Sequence, residues 1–445
     1  MQWSRYNLMW ELPEGGSLLY NSLTNTFAAA KPPLAAELQK IRENPDAYDF
    51  TQNPALLLQL RRAKVLVEDG EERDLLNLNL LQRNLANMRH DVLGLTIIPT
   101  LACNFRCSYC YQQHKRPQRM SDTVQAQLLA FIQRYQIFGQ LKMLDVCWFG
   151  GEPLLEFDRI CRLTEEFKAL EVPYSASMVT NGYLLDKGRV EHLDDLKIKT
   201  IQITIDGPEE VHNRRRPHVS QGDSYAKIMA NLEGLLERWS GKVALRINVD
   251  RSNREQFFEM REQLHQRFPG KNLAVYPGFV QDGPRSNPDA PCECSAPEFS
   301  DFLLEFYRRS NADGGRDLYP NPTPCTAQQR NSFVIGPEGE LYNCWHDVGN
   351  PEWVVGSIFP GRPWNYTLLS QYMAGTEVFA DDTCRQCLFL PRCSGGCPHF
   401  RLRHLFQGED FNTCLQVKSR FPEFLELRYH KGQQKKSAIT NNTGG

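Results

Sequence analysis

The sequence has no excess of charge of either sign and no long apolar run. Its 445 residues carry 51 Lys and Arg against 53 Asp and Glu, which gives a formal net charge of −2. A near-neutral chain offers no bulk attraction to nucleic-acid phosphates, so we expect no nucleic-acid partner. No apolar run approaches the roughly 18 residues of a membrane-spanning helix, so we expect no membrane association. Residues 1–6 lack a basic region followed by an apolar run, and we expect no signal peptide.

Cysteine, by contrast, is plentiful. The chain has 14 cysteines, and many are bunched at C-x2-C and similar short spacings. Bunched thiols of this kind are typical of metal binding in a reducing compartment rather than of disulfides. We therefore expect a cytoplasmic metalloprotein.

Cys103, Cys107 and Cys110 lie in one short loop with the spacing C-x3-C-x2-C. The loop follows an apolar run at 95–98 that reads as a β-strand. Three closely spaced thiolates suit a cubane iron–sulfur cluster, in which one iron would then lack a protein ligand. Such an open position is what a catalytic metal site needs. A structural zinc site is the alternative, but it normally has four ligands in paired C-x2-C units.

At these residues the sequence resembles the radical S-adenosylmethionine enzymes, whose cluster-binding loop is C-x3-C-x-aromatic-C. The aromatic residue here is Tyr109. The resemblance implies a [4Fe–4S] cluster whose open iron is chelated by the amino and carboxylate groups of S-adenosylmethionine. One electron then cleaves the cofactor to a 5′-deoxyadenosyl radical, which abstracts hydrogen from the substrate. A reductant such as flavodoxin or ferredoxin is implied as a partner.

Residues 89–285 alternate regularly between strand and helix patterns. Helical segments separate six strand-like runs, at 95–100, 144–149, 177–179, 200–205, 245–249 and 273–275. This alternation predicts an α/β fold with a parallel sheet wound by crossover helices. Six units rather than eight predict an open, partial (β/α)6 TIM-like barrel, whose site lies at the carboxyl ends of the strands.

Two glycines and a carboxylate follow the second strand, as Gly150-Gly151-Glu152. Glycines let the backbone approach a ligand closely, and a carboxylate can bind an ammonium group. By resemblance, this is the family's motif for the amino group of the cofactor's methionine. The Thr-Asn-Gly segment at 180–182, after the third strand, reads as a plain turn.

Thr204 lies near the end of the fourth strand, and a run of three arginines ending at Arg216 follows it. The resemblance implies that Thr204 and Arg216 hold the ribose and the carboxylate of the cofactor. Asn248, at the end of the fifth strand, is a further candidate for the ribose. The sequence identifies no catalytic base or radical quencher.

Residues 286–430 are rich in Pro, Gly, aromatic residues and Cys. Their cysteines follow the order C-x13-G-x4-C, then C-x2-C-x5-C-x3-C, then one more Cys, and this resembles the SPASM domain of radical maturases. The resemblance implies two auxiliary [4Fe–4S] clusters. The distal cluster would be held by Cys384, Cys387, Cys393 and Cys414, and the proximal one by Cys325, Cys344 and Cys397.

The proximal set is one ligand short. Cys292 or Cys294 could complete it, or the iron could stay open to bind a substrate thiolate. Two zinc ribbons remain the alternative for the whole domain, since thiolates alone do not choose the metal. His346 and His399 flank cluster cysteines and read as supporting or surface residues rather than ligands.

Residues 1–88 read as a separate, winged-helix-like module. A hairpin, two helices and a short strand are predicted, at 6–23, 34–42, 54–62 and 65–67. The arrangement resembles the peptide-recognition element of ribosomal-peptide maturases, which binds a leader peptide by strand addition. A plain structural extension is the alternative. At the other end of the chain, the polar tail 431–445 is expected to be disordered.

Two functions compete for this architecture. The first is a peptide maturase that forms a thioether or C–C cross-link on a precursor peptide, whose leader the N-terminal module would bind. The second is an anaerobic sulfatase maturase that oxidises a protein Cys or Ser to formylglycine. By resemblance, the second group has an Asp base directly after the G-x4-C cysteine, whereas this sequence has Trp345 there and Asp347 two residues on. The first function is therefore favoured. A non-catalytic zinc scaffold is a third class and predicts a colourless protein.

Overall fold

The computed structural model describes residues 1–112, 116–139, 141–279, 296–310 and 325–442. The architecture is α/β, with a nine-stranded and mostly parallel sheet at its centre. A small N-terminal module, a helix-wound central sheet and a cysteine-rich C-terminal domain follow one another along the chain. Within the described ranges, no helix combines the length and apolar character needed to cross a bilayer.

The N-terminal module combines small antiparallel sheets with three helices. Its elements are β1 (Gln2–Trp3), β2 (Asn7–Glu11), β3 (Ser17–Asn21), β4 (Thr26–Ala30), α1 (Pro32–Glu43), α2 (Pro54–Arg62), β5 (Leu66–Val67) and α3 (Glu71–Asn87). Strands β2, β3 and β4 form one sheet, and β1 pairs with β5. The side chain of Asn53 caps α2 by accepting a hydrogen bond from the Leu56 N–H. The predicted hairpin, helices and short strand are present, while the winged-helix comparison stays a prediction.

The central region consists of six strands and the helices that join them. These are β6 (Val92–Ile97), α4 (Asp122–Gly139), β7 (Met143–Trp148), α5 (Phe157–Lys168), β8 (Tyr174–Thr180), α6 (Lys187–Val190), β9 (Ile198–Ile205), α7 (Glu209–Arg215), α8 (Tyr225–Arg238), β10 (Lys242–Val249), α9 (Arg254–Arg267) and β11 (Leu273–Phe279). Strands β6 to β11 pair in parallel in chain order. The predicted α/β class and open, barrel-like sheet are confirmed.

The two faces of each central strand differ in burial. In β9, Ile201, Ile203 and Ile205 are fully buried, whereas the intervening Gln202 and Thr204 are only partly buried. Side chains alternate between faces along a strand, so the isoleucines share one face and the polar pair shares the other. The apolar face joins the helices in one large core, and the polar face is left for a ligand.

The C-terminal domain extends the same sheet. Its elements are α10 (Ala296–Arg309), β12 (Ser332–Ile335), β13 (Glu340–Tyr342), β14 (Gly356–Ser357), α11 (Tyr366–Ser370), α12 (Asp382–Arg385), α13 (Pro398–Gln407) and α14 (Phe421–Asn442). Strand β12 pairs in parallel with β6, and β13 and β14 continue the sheet antiparallel. The domain boundary predicted near residue 285 is therefore not a boundary of the sheet, because β12 is too short for its pairing partner to be read from sequence.

The N-terminal module packs directly on the C-terminal domain. Tyr20 of β3 contacts Phe421 edge-on, with ring centroids 5.1 Å apart. Arg392 Nε donates a 3.1 Å hydrogen bond to the carbonyl of Ser22, and Arg83 Nη1 donates a 2.8 Å bond to the carbonyl of Cys393. The module is thus seated against the loop that carries the distal cysteines.

Two sequence-based expectations need correction. The tail from residue 431, expected to be disordered, lies in α14, which continues to Asn442. The helix is anchored at its start by buried Phe424 and Leu425, and Gln, Lys and Ala are good helix formers that continue it. Strand β4 was not predicted, because the sequence Thr-Phe-Ala-Ala-Ala contains few residues that favour strands.

Candidate active site

A cavity of about 350 Å³ lies at the carboxyl edge of the central sheet and is closed on one side by the C-terminal domain. Of the nine residues predicted to hold the cofactor and its cluster, all but Glu152 line it. They are Cys103, Cys107, Cys110, Gly150, Gly151, Thr204, Arg216 and Asn248. Residues from several strand ends therefore meet in one place, as the barrel prediction requires.

The cysteine loop follows β6 and is fixed by backbone hydrogen bonds to the last residue of α7 and to the segment just after it. The Arg106 N–H donates to the Pro217 carbonyl at 3.0 Å, and the Ser108 N–H donates to the Arg215 carbonyl at 3.0 Å. Two amide groups of the loop region also point at thiols. The Phe105 N–H donates to Cys103 Sγ and the Gln112 N–H to Cys110 Sγ, both at 3.4 Å.

Burial favours the protonated forms of Cys103 and Cys107 in the absence of a cation. It raises the pKa of Cys103 to about 12, and the charge of Glu152 and the two neighbouring thiols act in the same direction. Burial also raises the pKa of Cys107 to about 11, against the opposing charge of Arg216. A metal centre reverses this balance, because coordination deprotonates a thiol outright. Three soft sulfur donors, with amide N–H groups aimed at two of them, fit an iron–sulfur cluster.

Tyr109, the aromatic residue of the loop, joins three strand ends through its hydroxyl. The hydroxyl donates a 2.7 Å hydrogen bond to Asp206 Oδ1 and accepts 2.8 Å bonds from Arg216 Nη1 and Asn248 Nδ2. Asp206 directly follows β9, and Asn248 is the second-last residue of β10. The loop that carries the thiols is therefore locked to two of the residues predicted to hold the cofactor.

The same cluster has polar atoms left over. Among the described residues, Arg216 Nε, Asn248 Oδ1 and Asp206 Oδ2 are buried without a hydrogen-bond partner. Buried polar groups are normally satisfied, so these atoms indicate a polar ligand at this wall. One unused donor and two unused acceptors beside the cysteine loop fit the hydroxyls and the carboxylate of S-adenosylmethionine.

The two glycines after β7 make room for the cysteine loop itself. A Cβ at Gly151 would lie 2.2 Å from the carbonyl oxygen of Ala102, and one at Gly150 would lie 2.5 Å from that of Thr100. Gly150 also has φ near +144°, which a side chain disfavours. Both glycines line the cavity, and their contact with a cofactor stays a prediction.

Glu152 lies behind the cavity wall and is fully buried. Its carboxylate accepts hydrogen bonds from Thr180 Oγ1 at 2.7 Å, Asn181 N at 2.8 Å and Leu154 N at 3.0 Å. Burial raises its pKa, while these donors oppose the rise. These three donors engage the carboxylate, and its expected contact with an ammonium group stays a prediction. Glu152 positions Thr180 and Asn181, which line the cavity, whereas the Thr-Asn-Gly pattern predicted only a turn there.

The C-terminal cysteines influence one another in the two sets predicted. Burial raises the pKa of Cys344 well above its usual value, and Asp347, Cys397 and Cys325 add to the rise. The pKa of Cys393 is raised by burial and then by three other thiols. These are Cys384, Cys387 and Cys414. In the described part of the chain, no three Cys, His, Asp or Glu side chains converge on a point suited to one metal ion. Cys292 and Cys294 lie outside the described residues, and ligation by every cysteine stays a prediction.

Aromatic side chains from the C-terminal domain form one wall of the cavity. Trp345 stacks on Phe149 at 5.7 Å between ring centroids, and His346 stacks on Tyr111 at 4.5 Å. Asp347 points away from this wall and is fully buried. The sequence indicated neither Tyr111 nor Arg246 as cavity residues, although Tyr111 directly follows the cysteine loop and Arg246 precedes Asn248 by two.

His399 and Asp347 form a buried pair behind the wall. His399 Nδ1 lies 2.9 Å from Asp347 Oδ1, and Tyr372 donates a 2.8 Å hydrogen bond to Asp347 Oδ2. Burial raises the pKa of Asp347, against the opposing effect of His399. His399 therefore supports the cysteine-bearing loops from within the domain, in line with the role expected for it.

Comparison with known proteins agrees with this geometry. The family model of the Radical SAM superfamily matches residues 97–264, from the end of β6 into α9. The serine-type anaerobic sulfatase-maturating enzyme of Bacteroides thetaiotaomicron is 24% identical over 356 residues, covering 69% of this chain and 82% of the relative.

Two solved structures share the fold. The structure of native anSMEcpe with bound AdoMet and the Cp18Cys peptide has a TM-score of 0.59 at 18% identity, covering 79% of this chain and 99% of that one. SuiB of Streptococcus suis, bound to its precursor peptide SuiA, has a TM-score of 0.51 at 15% identity, covering 89% of this chain and 95% of that one. Taken with the cysteine loop at the carboxyl edge of the sheet, the family match identifies residues 97–264 as a Radical SAM domain, of a superfamily whose members bind a [4Fe–4S] cluster together with S-adenosylmethionine.

Proposed function

We propose that this enzyme is a maturase that modifies a precursor peptide by forming a thioether or C–C cross-link. Cys103, Cys107 and Cys110 would hold the cluster beside S-adenosylmethionine, which together would supply the radical chemistry that removes a hydrogen atom from the peptide. The chain's own residues hold the cofactor against the cysteine loop, exclude water and orient the peptide at the aromatic wall. An external reductant of the flavodoxin or ferredoxin type delivers the electron.

The observation that carries the proposal is the position of Asp347, the first acidic residue after Cys344. A formylglycine-forming enzyme needs a base that takes a proton from the substrate thiol or hydroxyl. Here Trp345 occupies the cavity wall, whereas Asp347 is bound by His399 and Tyr372 and is fully buried. This loop therefore offers the cavity an aromatic surface in place of a carboxylate.

The N-terminal module supplies a second argument. Among the described strands, β4 pairs only with β3, so its other edge is open to a further strand. A groove of about 120 Å³ runs beside that edge and is lined mainly by apolar side chains of β4, α1 and α2. An open edge next to an apolar groove is the arrangement that binds an extended peptide by strand addition. We assign leader recognition to this groove.

The two C-terminal cysteine sets complete the proposal. Cys384, Cys387, Cys393 and Cys414 would hold one auxiliary cluster, and Cys325, Cys344 and Cys397 the other, to relay electrons or bind the substrate. The second set has three thiols in the described residues, which leaves one position for Cys292, Cys294 or a substrate thiolate.

An anaerobic sulfatase maturase is the second candidate. It is favoured by the sulfatase-maturating relative, 82% of whose length this chain matches. Against it, the structure of SuiB with its precursor peptide aligns with 89% of this chain, whereas the anSMEcpe structure aligns with 79%.

A matched pair of variants tests the proposal. Ala28→Glu places a charge on the groove side of β4, and Ala36→Glu places the same charge on the exposed face of α1 away from the groove. Candidate precursor peptides are taken from short reading frames beside this gene; their binding and modification should be lost with Ala28→Glu and kept with Ala36→Glu. Formylglycine on a sulfatase-derived Cys or Ser peptide, with no modification of the neighbouring peptides, would establish the second candidate instead. Zinc without acid-labile sulfide in anaerobically purified protein would exclude both.

A further inference from the structure

Arg246 is a cation inside the cavity that makes no ion pair with an Asp or Glu in the part of the chain that the structure describes. It lies on β10 two residues before Asn248, faces the same side of the sheet, and lines the cavity. Its Nε is buried and makes no hydrogen bond to any described residue. A guanidinium that has one nitrogen buried without a hydrogen bond is left unsatisfied, so a ligand that supplies negative charge at the cavity would stabilise it.

The fold provides a specific slot for this side chain. Gly278 lies on the neighbouring strand β11, where it is paired in register with Asn248. A Cβ at Gly278 would lie 1.9 Å from Arg246 Nε and 2.7 Å from Arg246 Cζ. The guanidinium therefore rests across β11 in space that any other residue at 278 would fill.

Gln202 gives the site a second donor. It lines the cavity from β9, and its Oε1 accepts a 2.7 Å hydrogen bond from the hydroxyl of Tyr276. With its oxygen engaged, the amide NH2 of Gln202 is the group left to bind a ligand. A guanidinium and an amide N–H are both donors, and a carboxylate is the group that accepts from both.

The other cavity cation serves a different part of the site. Arg216 bonds to Tyr109 and acts electrostatically on Cys107 and Asp206, beside the cysteine loop. Arg246 instead acts on Tyr111, which stacks on His346 of the C-terminal domain, and on Tyr276. The first cation is placed for the cofactor, and the second lies on the side bounded by the aromatic wall.

We propose that Arg246 and Gln202 bind a carboxylate of the peptide substrate, an inference that rests on the proposed function. The segment that is modified therefore carries an Asp or Glu side chain next to the reacting residue. The Gly278 slot fixes the direction of the guanidinium, so the acidic side chain sets which neighbouring carbon faces the cofactor.

The test uses small probes and does not require the natural peptide. N-acetylglutamate α-amide and N-acetylglutamine α-amide are titrated into cluster-loaded enzyme saturated with S-adenosylmethionine, and binding is followed by ligand-observed NMR. The native enzyme should bind the glutamate probe about tenfold more tightly, as a charge-assisted contact implies. Arg246→Gln should abolish the preference. Gly278→Ala displaces the guanidinium without removing its charge, and it should weaken the preference for the glutamate probe.

The carboxylate that Arg246 binds could belong to the peptide substrate or to S-adenosylmethionine, and affinity for S-adenosylmethionine distinguishes the two. Arg246→Gln should change that affinity less than about threefold, whereas Arg216→Gln should weaken it at least about tenfold. No preference for glutamate in the native enzyme would overturn the proposal, as would an unchanged preference in Arg246→Gln. A loss of cofactor affinity in Arg246→Gln with the preference kept would also overturn it and assign Arg246 to the cofactor. Iron content and thermal unfolding of each variant verify that it is folded. Peptide binding that Ala28→Glu leaves unchanged would count against the proposed function alone, because binding of the small probes does not depend on the N-terminal groove.

Discussion

The Tyr109 hydroxyl donates a 2.7 Å hydrogen bond to the buried carboxylate of Asp206. Tyr109 belongs to the cysteine loop after β6, and Asp206 follows β9, so the bond spans the mouth of the open barrel. The same hydroxyl accepts bonds from Arg216 and Asn248. One side chain thereby sets the position of the thiols relative to the residues assigned to the cofactor.

Removing that hydroxyl should weaken the cofactor site without removing the cluster. In Tyr109→Phe, Asp206, Arg216 and Asn248 each lose a buried partner, which destabilises the fold by about 1–3 kcal/mol. Affinity for S-adenosylmethionine, measured by anaerobic equilibrium binding, should fall about tenfold. Iron content should be unchanged because no thiol is altered.

Tyr135→Phe is the matched control for Tyr109→Phe. The Tyr135 ring packs against Phe131 and Phe333, away from the cavity. If both variants bind the cofactor equally well, the hydroxyl of Tyr109 does not organise the site.

Gly151→Ala should disrupt the contact between the β7 loop and the cysteine loop. The added Cβ would meet the carbonyl oxygens of Ala102 at 2.2 Å and Leu101 at 2.6 Å, and neither backbone atom can rotate away. We expect a loss of at least about 1–3 kcal/mol in the free energy of unfolding, from overpacking. The amount of iron bound at the cysteine loop should fall together with the stability.

Gly188→Ala is the control for the glycine substitution. Gly188 lies in the short helix α6, and its nearest neighbour to an added Cβ is Asp186 Oδ1 at 3.6 Å. Alanine there should be neutral or stabilising by up to about 1 kcal/mol. Equal Tm values for the two variants would show that the close approach at Gly151 is not required.

His212 should make the fold sensitive to mild acid. It is fully buried, and burial together with the charge of Arg216 lowers its pKa to about 3. In the unfolded chain a histidine titrates near 6.5, so below that pH the unfolded state takes up the proton first. The contribution of uncharged His212 to the free energy of unfolding is complete above about pH 6.5. It is lost as the pH falls towards about 3, by up to about 1.4 kcal/mol per pH unit.

The measurement compares unfolding at pH 7 and pH 5.5. The native protein should lose about 1 kcal/mol from this group over that interval, and His212→Gln should not. His192→Gln, at an exposed position, should behave like the native protein. An identical acid response in native protein and His212→Gln would contradict the assignment.

The sequence predicted the parts of the site that depend on spacing along the chain. Thiol spacing singled out the loop at 103–110, and the family resemblance divided the C-terminal cysteines into two sets; the thiols that influence one another fall into the same groups, while ligation stays a prediction. Strand periodicity placed Thr204 and Asn248 at the carboxyl edge, where both line the cavity.

The parts that it missed depend on contacts between distant segments. The slot for Arg246 exists because of the register between β10 and β11, which no local pattern encodes. Asp347 is withdrawn from the cavity by Tyr372 and His399, which lie 25 and more residues away in the chain. Glu152 has the residue type of a cofactor contact, yet its carboxylate is used to hold the loop after β8.

The central claim is that Cys103, Cys107 and Cys110 hold a cluster that cleaves S-adenosylmethionine. The direct measurement is 5′-deoxyadenosine released when anaerobically prepared enzyme is given S-adenosylmethionine and a strong reductant. The native enzyme should form it, whereas the variant with all three cysteines changed to Ala should form none while keeping iron and sulfide in its C-terminal domain. Release by the variant at the native rate, or no release by native enzyme that contains acid-labile sulfide, would contradict the account.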